Sequence, residues 1–266
     1  MTIPGMTPEE LHNIYAAEES FWWYQGMRAI THAVLDREPA IRAGTGLDAG
    51  CGTGYNAVEM ANRFGCKMYG LDLERLALGY ARRRGLARAV QGSILELPFA
   101  AESFDLLTSF DVLPHLARGQ EAIALAEFSR VLRPGGWLLL RVAAFDLLRS
   151  RHSQFVSERQ RFRAGTLLRS LRQASLAPVH WTYANSLLSP VAFFKFRVWE
   201  PLRGAPPASG VAAALPAWLN RSLRWILRCE ARYIRRGWRF VFGQSLLVLA
   251  RKQPFRHKAG PGSAGL

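Results

Sequence analysis

The segment at 47–54 reads LDAGCGTG, and its three glycines stand at alternate positions after a short apolar run. Glycines at this spacing allow the backbone to turn tightly from a strand into a helix and to approach a bound ligand closely. A dinucleotide-binding loop would have a further glycine where this chain has Tyr55. The carboxylate of Asp48 would repel a pyrophosphate and attract a cationic group. The loop therefore predicts a ligand other than a dinucleotide.

A second carboxylate, Asp72, ends the next predicted strand and follows Gly50 by 22 residues. An acid at this place accepts hydrogen bonds from the hydroxyl groups of a ribose. A glycine loop with a ribose acid, but without the features that hold phosphate, indicates a nucleoside that lacks phosphates. S-adenosylmethionine is the common ligand of this description, so it is the predicted cofactor and NAD is not.

Four further motifs follow the glycine loop: GSILELPF at 92–99, SFDLL at 103–107, DVLPHL at 111–116 and VLRPGG at 131–136. In this order and spacing, the motifs resemble those of class I S-adenosylmethionine-dependent methyltransferases, in particular the bacterial methyltransferase-type-11-like subgroup. The resemblance covers about residues 45–145. It implies methyl transfer as the activity and an α/β, Rossmann-like fold with a seven-stranded, mostly parallel sheet.

The resemblance also implies which residues bind the cofactor, all of them near the ends of the first four strands. They are Asp48, Gly50, Cys51, Gly52, Gly54, Asp72, Leu73, Ser93, Ile94, Phe110 and Asp111. Members of the family often have Asp at the position of Ser93, where it binds the adenine amino group. We therefore expect backbone and apolar contacts to hold the adenine more strongly in this chain.

Methyl transfer from a sulfonium mainly requires that donor and acceptor are aligned and that water is excluded. A general base is needed only where the acceptor must lose a proton. His115 follows the predicted fourth strand and has an ordinary pKa near neutrality, so it is the candidate base. The alternative, that His115 packs against the next helix and orders the loop, stays open.

A second candidate site residue, His152, lies in a segment that resembles many uncharacterised bacterial methyltransferases. His152 and Arg161 match that pattern, whereas Ser153, Glu158, Gln160 and Phe162 depart from it, so the acceptor site is expected to be altered. The segment FWWYQGMR at 21–28 is similar to an opening motif of the same relatives. Its aromatic residues would either cover the site or attach a helix to the sheet.

From residue 46 onward, short apolar runs alternate with amphipathic segments, which is typical of βαβ units. Strands are predicted near 46–49, 67–72, 87–91, 104–110, 137–143, 179–183 and 245–251. Helices are predicted near 7–17, 21–38, 55–64, 74–84, 119–132, 165–175 and 216–236, on both faces of the sheet. The predicted organisation is an N-terminal helical cap (1–44), a methyltransferase domain (45–251) with a late helical insertion (about 186–240), and a disordered tail (252–266).

The chain has 35 Lys and Arg against 20 Asp and Glu, a net charge of +15, which attracts anionic partners. Segment 217–239 contains seven arginines and one acid, Glu230. A basic amphipathic helix of this kind could lie on an anionic membrane and would suit a lipid-like acceptor. Alternatively, its apolar stripe, which consists of Leu219, Leu223, Ile226, Ile234 and Trp238, packs against the sheet and leaves the arginines in water.

Three scattered cysteines argue against a disulfide framework or a zinc site, and no metal is predicted. The N-terminus does not have the pattern of a signal peptide, and no apolar run has the length of a membrane span. The expected location is cytoplasmic, or peripheral to the inner membrane face. The predicted function is methylation of O, N or C in a small-molecule or lipid-like acceptor. An RNA methyltransferase is disfavoured because DVLP differs from the motif of base-amino methyltransferases, and a catalytically silent cofactor-binding scaffold stays open.

Overall fold

The computed structural model of the protein describes residues 7–39, 41, 43–204, 209–211 and 215–254. The strands are β1 (Thr45–Ala49), β2 (Lys67–Asp72), β3 (Ala89–Gln91), β4 (Phe104–Phe110), β5 (Leu132–Ala143), β6 (Leu176–Ala184) and β7 (Ser245–Lys252). The helices are α1 (Pro8–Ala17), α2 (Trp22–Leu35), α3 (Tyr55–Phe64), α4 (Arg75–Arg83), α5 (Gln120–Val131), α6 (Arg151–Phe155), α7 (Ala164–Gln173), α8 (Ser189–Phe194), α9 (Glu200–Arg203) and α10 (Ala217–Arg235). Short 3₁₀ turns at Leu113–His115 and Asp146–Leu148 and a π-helical turn at Lys195–Trp199 complete the list.

The seven strands form one sheet in the order β3-β2-β1-β4-β5-β7-β6. The first five strands are parallel, and β7 runs antiparallel to both of its neighbours. This confirms the predicted α/β fold. The strand order reverses between β1 and β4, so the carboxyl ends of these strands mark the place where ligands bind in open α/β sheets.

Alternating side chains along the strands form one apolar core on each face of the sheet. On one face, α5 and α7 cover residues such as Leu47 and Leu107. On the other face, α2, α3, α4 and α10 cover residues such as Leu106 and Leu139. The predicted arrangement of helices on both faces is confirmed. No helix in the described part of the chain is long and apolar enough to cross a membrane.

Helix α1 begins at Pro8, within one residue of the predicted start. The side chain of Thr7 accepts a hydrogen bond from the backbone N–H of Glu10 at 3.3 Å, and Pro8 occupies the first turn, where its missing N–H is tolerated. The helix lies beside α4, because the rings of Tyr15 and Tyr80 stack at 4.5 Å and Arg84 donates to the carbonyl of Tyr15 at 2.7 Å.

The segment between β6 and β7 contains more helix than its sequence predicts. Pro190 interrupts the apolar run in the sequence, yet in the structure it stands in the first turn of α8 and starts a helix. The last strand extends to Lys252, one residue beyond its predicted end. Of the predicted tail, residues 255–266 lie outside the described residues.

Helix α10 packs along α2, and the two helices run parallel. A Cβ atom on Gly26 of α2 would lie 2.2 Å from Cδ1 of Leu227, so the helices meet as closely as a glycine allows. At one end Asn220 accepts from the backbone N–H of Trp22, and at the other Arg235 pairs with Asp36 at 2.8 Å.

The stripe that was predicted to pack inward does so only in part. Ile234 is buried, and Leu219, Leu223 and Ile226 are half-buried, whereas Trp238 is 64% exposed because it follows the end of α10.

Candidate active site

The three glycines that follow β1 have backbone φ angles of +85° at Gly50, +51° at Gly52 and +82° at Gly54, values that L side chains rarely adopt. A Cβ atom on Gly50 would lie 2.2 Å from Val112, and one on Gly54 would lie 2.7 Å from Ala81, so these two glycines serve close packing. A Cβ atom on Gly52 would meet nothing within 4 Å. The backbone at Gly52 therefore faces open space, which a ligand can enter.

Asp72 lies at the end of β2, where the sequence predicts the ribose acid. Its Oδ2 accepts a hydrogen bond from the backbone N–H of Gly52 at 2.8 Å, and its Oδ1 accepts one from Glu74 at 2.9 Å. Burial raises the pKa of this carboxyl, and the two backbone hydrogen bonds oppose the rise. Each carboxylate oxygen has two lone pairs, so both oxygens can still accept from a diol.

Asp48 is 1% exposed, and β1 holds it opposite Thr108 of β4. The hydroxyl of Thr108 donates to its Oδ1 at 2.7 Å. Burial raises the pKa of Asp48 to about 7, and the nearby charge of Asp72 acts in the same direction. A cation placed beside this carboxyl would favour its charged form, so the position fits the ammonium or sulfonium group of the predicted cofactor.

The other predicted cofactor residues differ in their exposure and in the contacts that they already make. The hydroxyl of Ser93 accepts from the backbone N–H of Leu95 at 3.1 Å, so it is engaged within its own turn. Ile94 is 5% exposed and packs into the core, whereas Leu73 is 43% exposed. Cys51 is buried, and burial raises the pKa of its thiol. We find the thiol to be part of the wall under the loop and not a reactive group.

An arginine that the sequence analysis missed organises the end of β4. The Nε of Arg141, on β5, lies 2.8 Å from Oδ2 of Asp111, which itself has a left-handed backbone with φ at +60°. The guanidinium also lies over the rings of Trp23, at 5.1 Å, and Phe110, at 5.0 Å. The signal in the sequence is a single charged residue within the buried run LLLRVA.

The segment after α1 is tied directly to the glycine loop. The hydroxyl of Thr53 donates to a carboxylate oxygen of Glu18, and Arg84 pairs with the same carboxylate at 3.2 Å. Burial raises the pKa of Glu18, and the hydrogen bond from Thr53 and the charge of Arg84 oppose the rise. Burial also raises the pKa of Tyr24, with contributions from the charges of Glu18 and Glu10, so its phenol remains a neutral donor.

The carboxylate of Glu10 has no hydrogen-bond partner among the described residues, although Glu10 is only 1% exposed. Its Oε1 lies 4.0 Å from Nδ1 of His152. The same Nδ1 accepts a hydrogen bond from the backbone N–H of Gly210 at 3.0 Å, which requires that this nitrogen carries no proton. Burial lowers the pKa of His152, which agrees with a neutral ring. Both carboxylate oxygens of Glu10 can therefore accept a hydrogen bond from a ligand.

His115 stands in the 3₁₀ turn after β4. Burial lowers its pKa, the charges of Glu158 and Asp111 oppose this, and His152 lies close enough to lower it further when it is protonated. The structure therefore brings the two predicted histidines into one neighbourhood. A neutral imidazole at this place can accept a proton, as a general base must. A backbone hydrogen bond with Val156 also attaches the ring to the next segment, so the ordering role stays open.

The segment that carries His152 is held by Arg161. Its guanidinium donates to the carbonyl of Ala144 at 3.1 Å, to the hydroxyl of Ser153 at 2.7 Å and to the carboxylate of Glu158 at 2.5 Å. Two of the four positions at which this chain departs from the related pattern, Ser153 and Glu158, therefore belong to one network. In the described part of the chain, no group of His, Cys, Asp and Glu side chains could hold a metal ion.

Comparison with known proteins assigns a domain family to the segment that carries the glycine loop and Asp72. Residues 47–140 match the family model of a methyltransferase domain. A probable S-adenosylmethionine-dependent methyltransferase of Mycolicibacterium smegmatis is 34% identical over 142 residues, which cover 52% of this chain and 48% of that relative. The chain thus spans about half the length of the curated relatives that it matches.

Two solved structures share the fold over most of the chain. A complex between the Trm112 methyltransferase activator and a methyltransferase of Haloferax volcanii matches with a TM-score of 0.60 at 20% identity, over 94% of this chain and 96% of that chain. The geranyl diphosphate C-methyltransferase of Streptomyces coelicolor, solved with Mg²⁺, geranyl diphosphate and S-adenosylhomocysteine, matches with a TM-score of 0.54 at 18% identity, over 83% and 76%.

The predicted cofactor fits the residues present. The space in front of Gly52 admits a ligand against the backbone, Asp72 has free lone pairs beside it, and the buried acid Asp48 lies next to Asp72. These features suit a nucleoside with a cationic tail and no phosphate. Residues 47–140 match a methyltransferase domain, and the order of the motifs, the strand order and the similarity to known proteins support the class I, S-adenosylmethionine-dependent type.

Proposed function

We propose that the protein transfers a methyl group from S-adenosylmethionine to a small-molecule acceptor bound under α1. The observation that carries this proposal is the junction of Gly52 and Asp72, where an open backbone and a carboxylate with free lone pairs meet at the switch point of the sheet. When bound, the cofactor supplies a methyl group that is already activated on a sulfonium.

Three carboxylates of the chain bind different parts of the cofactor. Asp72 accepts hydrogen bonds from the ribose hydroxyls, and Asp48 and Glu18 supply negative charge on the side of the methionine tail. Glu18 joins the segment after α1 to the glycine loop through Thr53, so it fixes the cover over the site as well. This contact helps to exclude water, which the reaction requires.

The acceptor side offers one hydrogen-bond acceptor, one base and an apolar wall. Glu10 can accept a hydrogen bond from an O–H or N–H group of the acceptor, since nothing else satisfies it among the described residues. His115 takes the proton that such an acceptor loses on methylation. The rings of Trp23 and Phe110, held by Arg141, supply apolar surface for the body of the molecule. The expected acceptor has a polar head and an apolar body.

The test is transfer of a labelled methyl group from S-adenosylmethionine, followed in three fractions from one cell extract: lipids, water-soluble small molecules and RNA. We expect label in the lipid or small-molecule fraction with wild-type protein and none with Asp72→Ala. Asp72→Ala serves as the control for label that arises without the cofactor site. Label that accumulates in RNA, or no transfer into any fraction by a protein that binds the cofactor, would contradict the proposal.

His115→Ala separates binding from transfer. We expect this variant to bind S-adenosylmethionine as the wild type does and to lose most of the labelled product. If His115→Ala lost cofactor binding and methyl transfer to the same extent, the role of His115 would be to order the loop and not to act as a base.

A further inference from the structure

The outward side of α10 carries two tryptophans and three arginines in one row. These residues are Trp218, Arg221, Trp225, Arg228 and Arg232, and we call them the Trp–Arg face. Their spacing of three, four, three and four residues places them along one side of the helix. Trp218 is 69% exposed and Trp225 62%, and the three arginines are exposed as well.

The core that the described residues form does not pack against this face. The opposite side of α10 buries Leu227, Ala231 and Ile234 in the core, and Leu227 fills the notch at Gly26. The one acid of the helix, Glu230, also points inward, where its carboxylate accepts hydrogen bonds from two backbone N–H groups at 2.8 and 3.0 Å. The outward side therefore presents positive charge and indole rings without any compensating acid.

The guanidinium groups of the Trp–Arg face are available to a partner. The side chains of Arg221, Arg228 and Arg232 form no hydrogen bond or ion pair with any residue that the structure describes. By contrast, Arg224 and Arg235 on the flanks of the helix bind Gln25 of α2 and Asp36, the residue that follows α2. Two arginines of the helix therefore hold it against the fold, whereas the three arginines of the Trp–Arg face can bind a partner.

Tryptophan is enriched at membrane–water interfaces, and arginine is attracted to anionic lipid headgroups while its stem covers apolar surface. We propose that the Trp–Arg face docks α10, lying flat, on an anionic lipid surface. The net charge of +15 complements such a surface. Single-stranded nucleic acid favours a basic groove with stacked aromatic rings, whereas this face lies on a convex helix.

The docked helix would begin beside the candidate active site. The side chain of Asn220 accepts from the backbone N–H of Trp22 at 2.8 Å and donates to the carbonyl of Ser20 at 3.0 Å. These contacts fix the Trp218 end of the face against the linker that carries Glu18 to the glycine loop. A lipid-like acceptor in the surface would then lie next to the site, a consequence that rests on the proposed function, whereas docking itself does not.

The experiment is flotation of the full chain with vesicles of phosphatidylcholine that contain about a third phosphatidylglycerol, compared with phosphatidylcholine alone. We expect salt-sensitive binding to the anionic vesicles and weak binding to the neutral ones. Arg221→Glu with Arg228→Glu should lower the partition coefficient by about thirtyfold or more. Trp218→Ser with Trp225→Ser should lower it by about tenfold at unchanged charge.

Matched controls separate the face from the overall charge. Arg169→Glu with Arg172→Glu makes the same charge change on exposed positions of α7, which packs on the opposite face of the sheet. Ile123→Ser removes an exposed apolar side chain from α5 on that face. Both controls should keep at least half of the wild-type partition, and calorimetry should find S-adenosylmethionine binding unchanged in every variant.

Two results would overturn the docking proposal while leaving the proposed function intact. Equal loss of binding in the α10 and α7 charge variants would assign the attraction to net charge. Failure of the wild-type protein to float with anionic vesicles, together with salt-sensitive binding to a folded RNA, would assign the face to nucleic acid.

Discussion

The two sides of the candidate active site differ in what holds their functional groups. On the cofactor side, the open backbone of Gly52 and the carboxylate of Asp72 are separated by a single βα unit and joined by one hydrogen bond. On the acceptor side, Glu10 of α1 lies 4.0 Å from His152 of α6, and Arg141 of β5 lies over the ring of Trp23 of α2. Local sequence builds the first side, and long-range contacts build the second.

The match to the methyltransferase domain model covers the cofactor side and, of the acceptor side, the turn with His115 but neither Glu10 nor His152. The family model covers residues 47–140, which include the glycine loop, Asp72 and the turn with His115, and it ends before Arg141. A cofactor that is shared by many enzymes requires the same backbone geometry in all of them. An acceptor that differs between enzymes is met by side chains that the rest of the chain is free to change.

The largest expected effect concerns the cofactor side. Asp72→Ala should weaken S-adenosylmethionine binding about a hundredfold, because two charge-assisted hydrogen bonds to the ribose are lost. The affinity of Asp72→Asn should fall between those of the wild type and Asp72→Ala, since the amide carbonyl still accepts one of the two hydrogen bonds from the ribose. Titration calorimetry measures both, and circular dichroism checks that the fold is kept. Wild-type affinity in Asp72→Ala would remove the ribose assignment.

The second effect tests whether the acceptor side depends on the contact between α2 and α10. Gly26→Ala should lower the free energy of unfolding by about 2–3 kcal/mol, because the new methyl group overlaps Leu227. Gly79→Ala is the control, since its Cβ would meet nothing within 4 Å in α4, and it should raise stability by about 0.5–1 kcal/mol. Urea unfolding distinguishes them. A stable Gly26→Ala would mean that the helix pair adapts and does not fix the site.

The third effect depends on pH and involves Glu230, which anchors α10 to the segment after β6. Burial raises the pKa of Glu230 from its ordinary 4.5 to about 7. Between these pH values the unfolded chain has lost the proton that the folded chain keeps on Glu230. The contribution of Glu230 to the free energy of unfolding therefore falls as pH rises, and it levels off above pH 7.

Glu230→Gln removes this dependence. Relative to the wild type, its free energy of unfolding should improve by about 2 kcal/mol from pH 4.5 to pH 7. Asp48 titrates in the same window but is present in both proteins, so the difference isolates Glu230. Parallel pH profiles of stability for the two proteins would contradict the assigned shift.

The smallest expected effect tests whether Glu10 lies on the acceptor side of the site. Glu10→Leu should raise the free energy of unfolding by about 1 kcal/mol, because it removes a buried acid that has no partner among the described residues. The affinity for S-adenosylmethionine should change by less than about threefold. A large loss of cofactor affinity would move Glu10 from the acceptor side to the cofactor side.

The same division explains what the sequence can predict. Strands β1 to β5 and the sites at Asp72 and His115 follow from apolar periodicity and ordered motifs, which act over short stretches of chain. Within the predicted helical insertion, the sequence gives no bounds for α8, because the proline in its first turn, Pro190, reads equally as a helix breaker and as a first-turn residue. The burial of Glu10 and the pairing of Arg141 with Asp111 depend on which distant segments meet, and no local pattern contains that information.

The most direct test of the account is calorimetric titration of the wild-type protein with S-adenosylmethionine and, separately, with NAD. The open backbone at Gly52 and the free lone pairs of Asp72 predict micromolar binding of S-adenosylmethionine and no binding of NAD. Absence of S-adenosylmethionine binding, across a range of salt and detergent, would contradict the assignment of this site and leave His115 without a catalytic role.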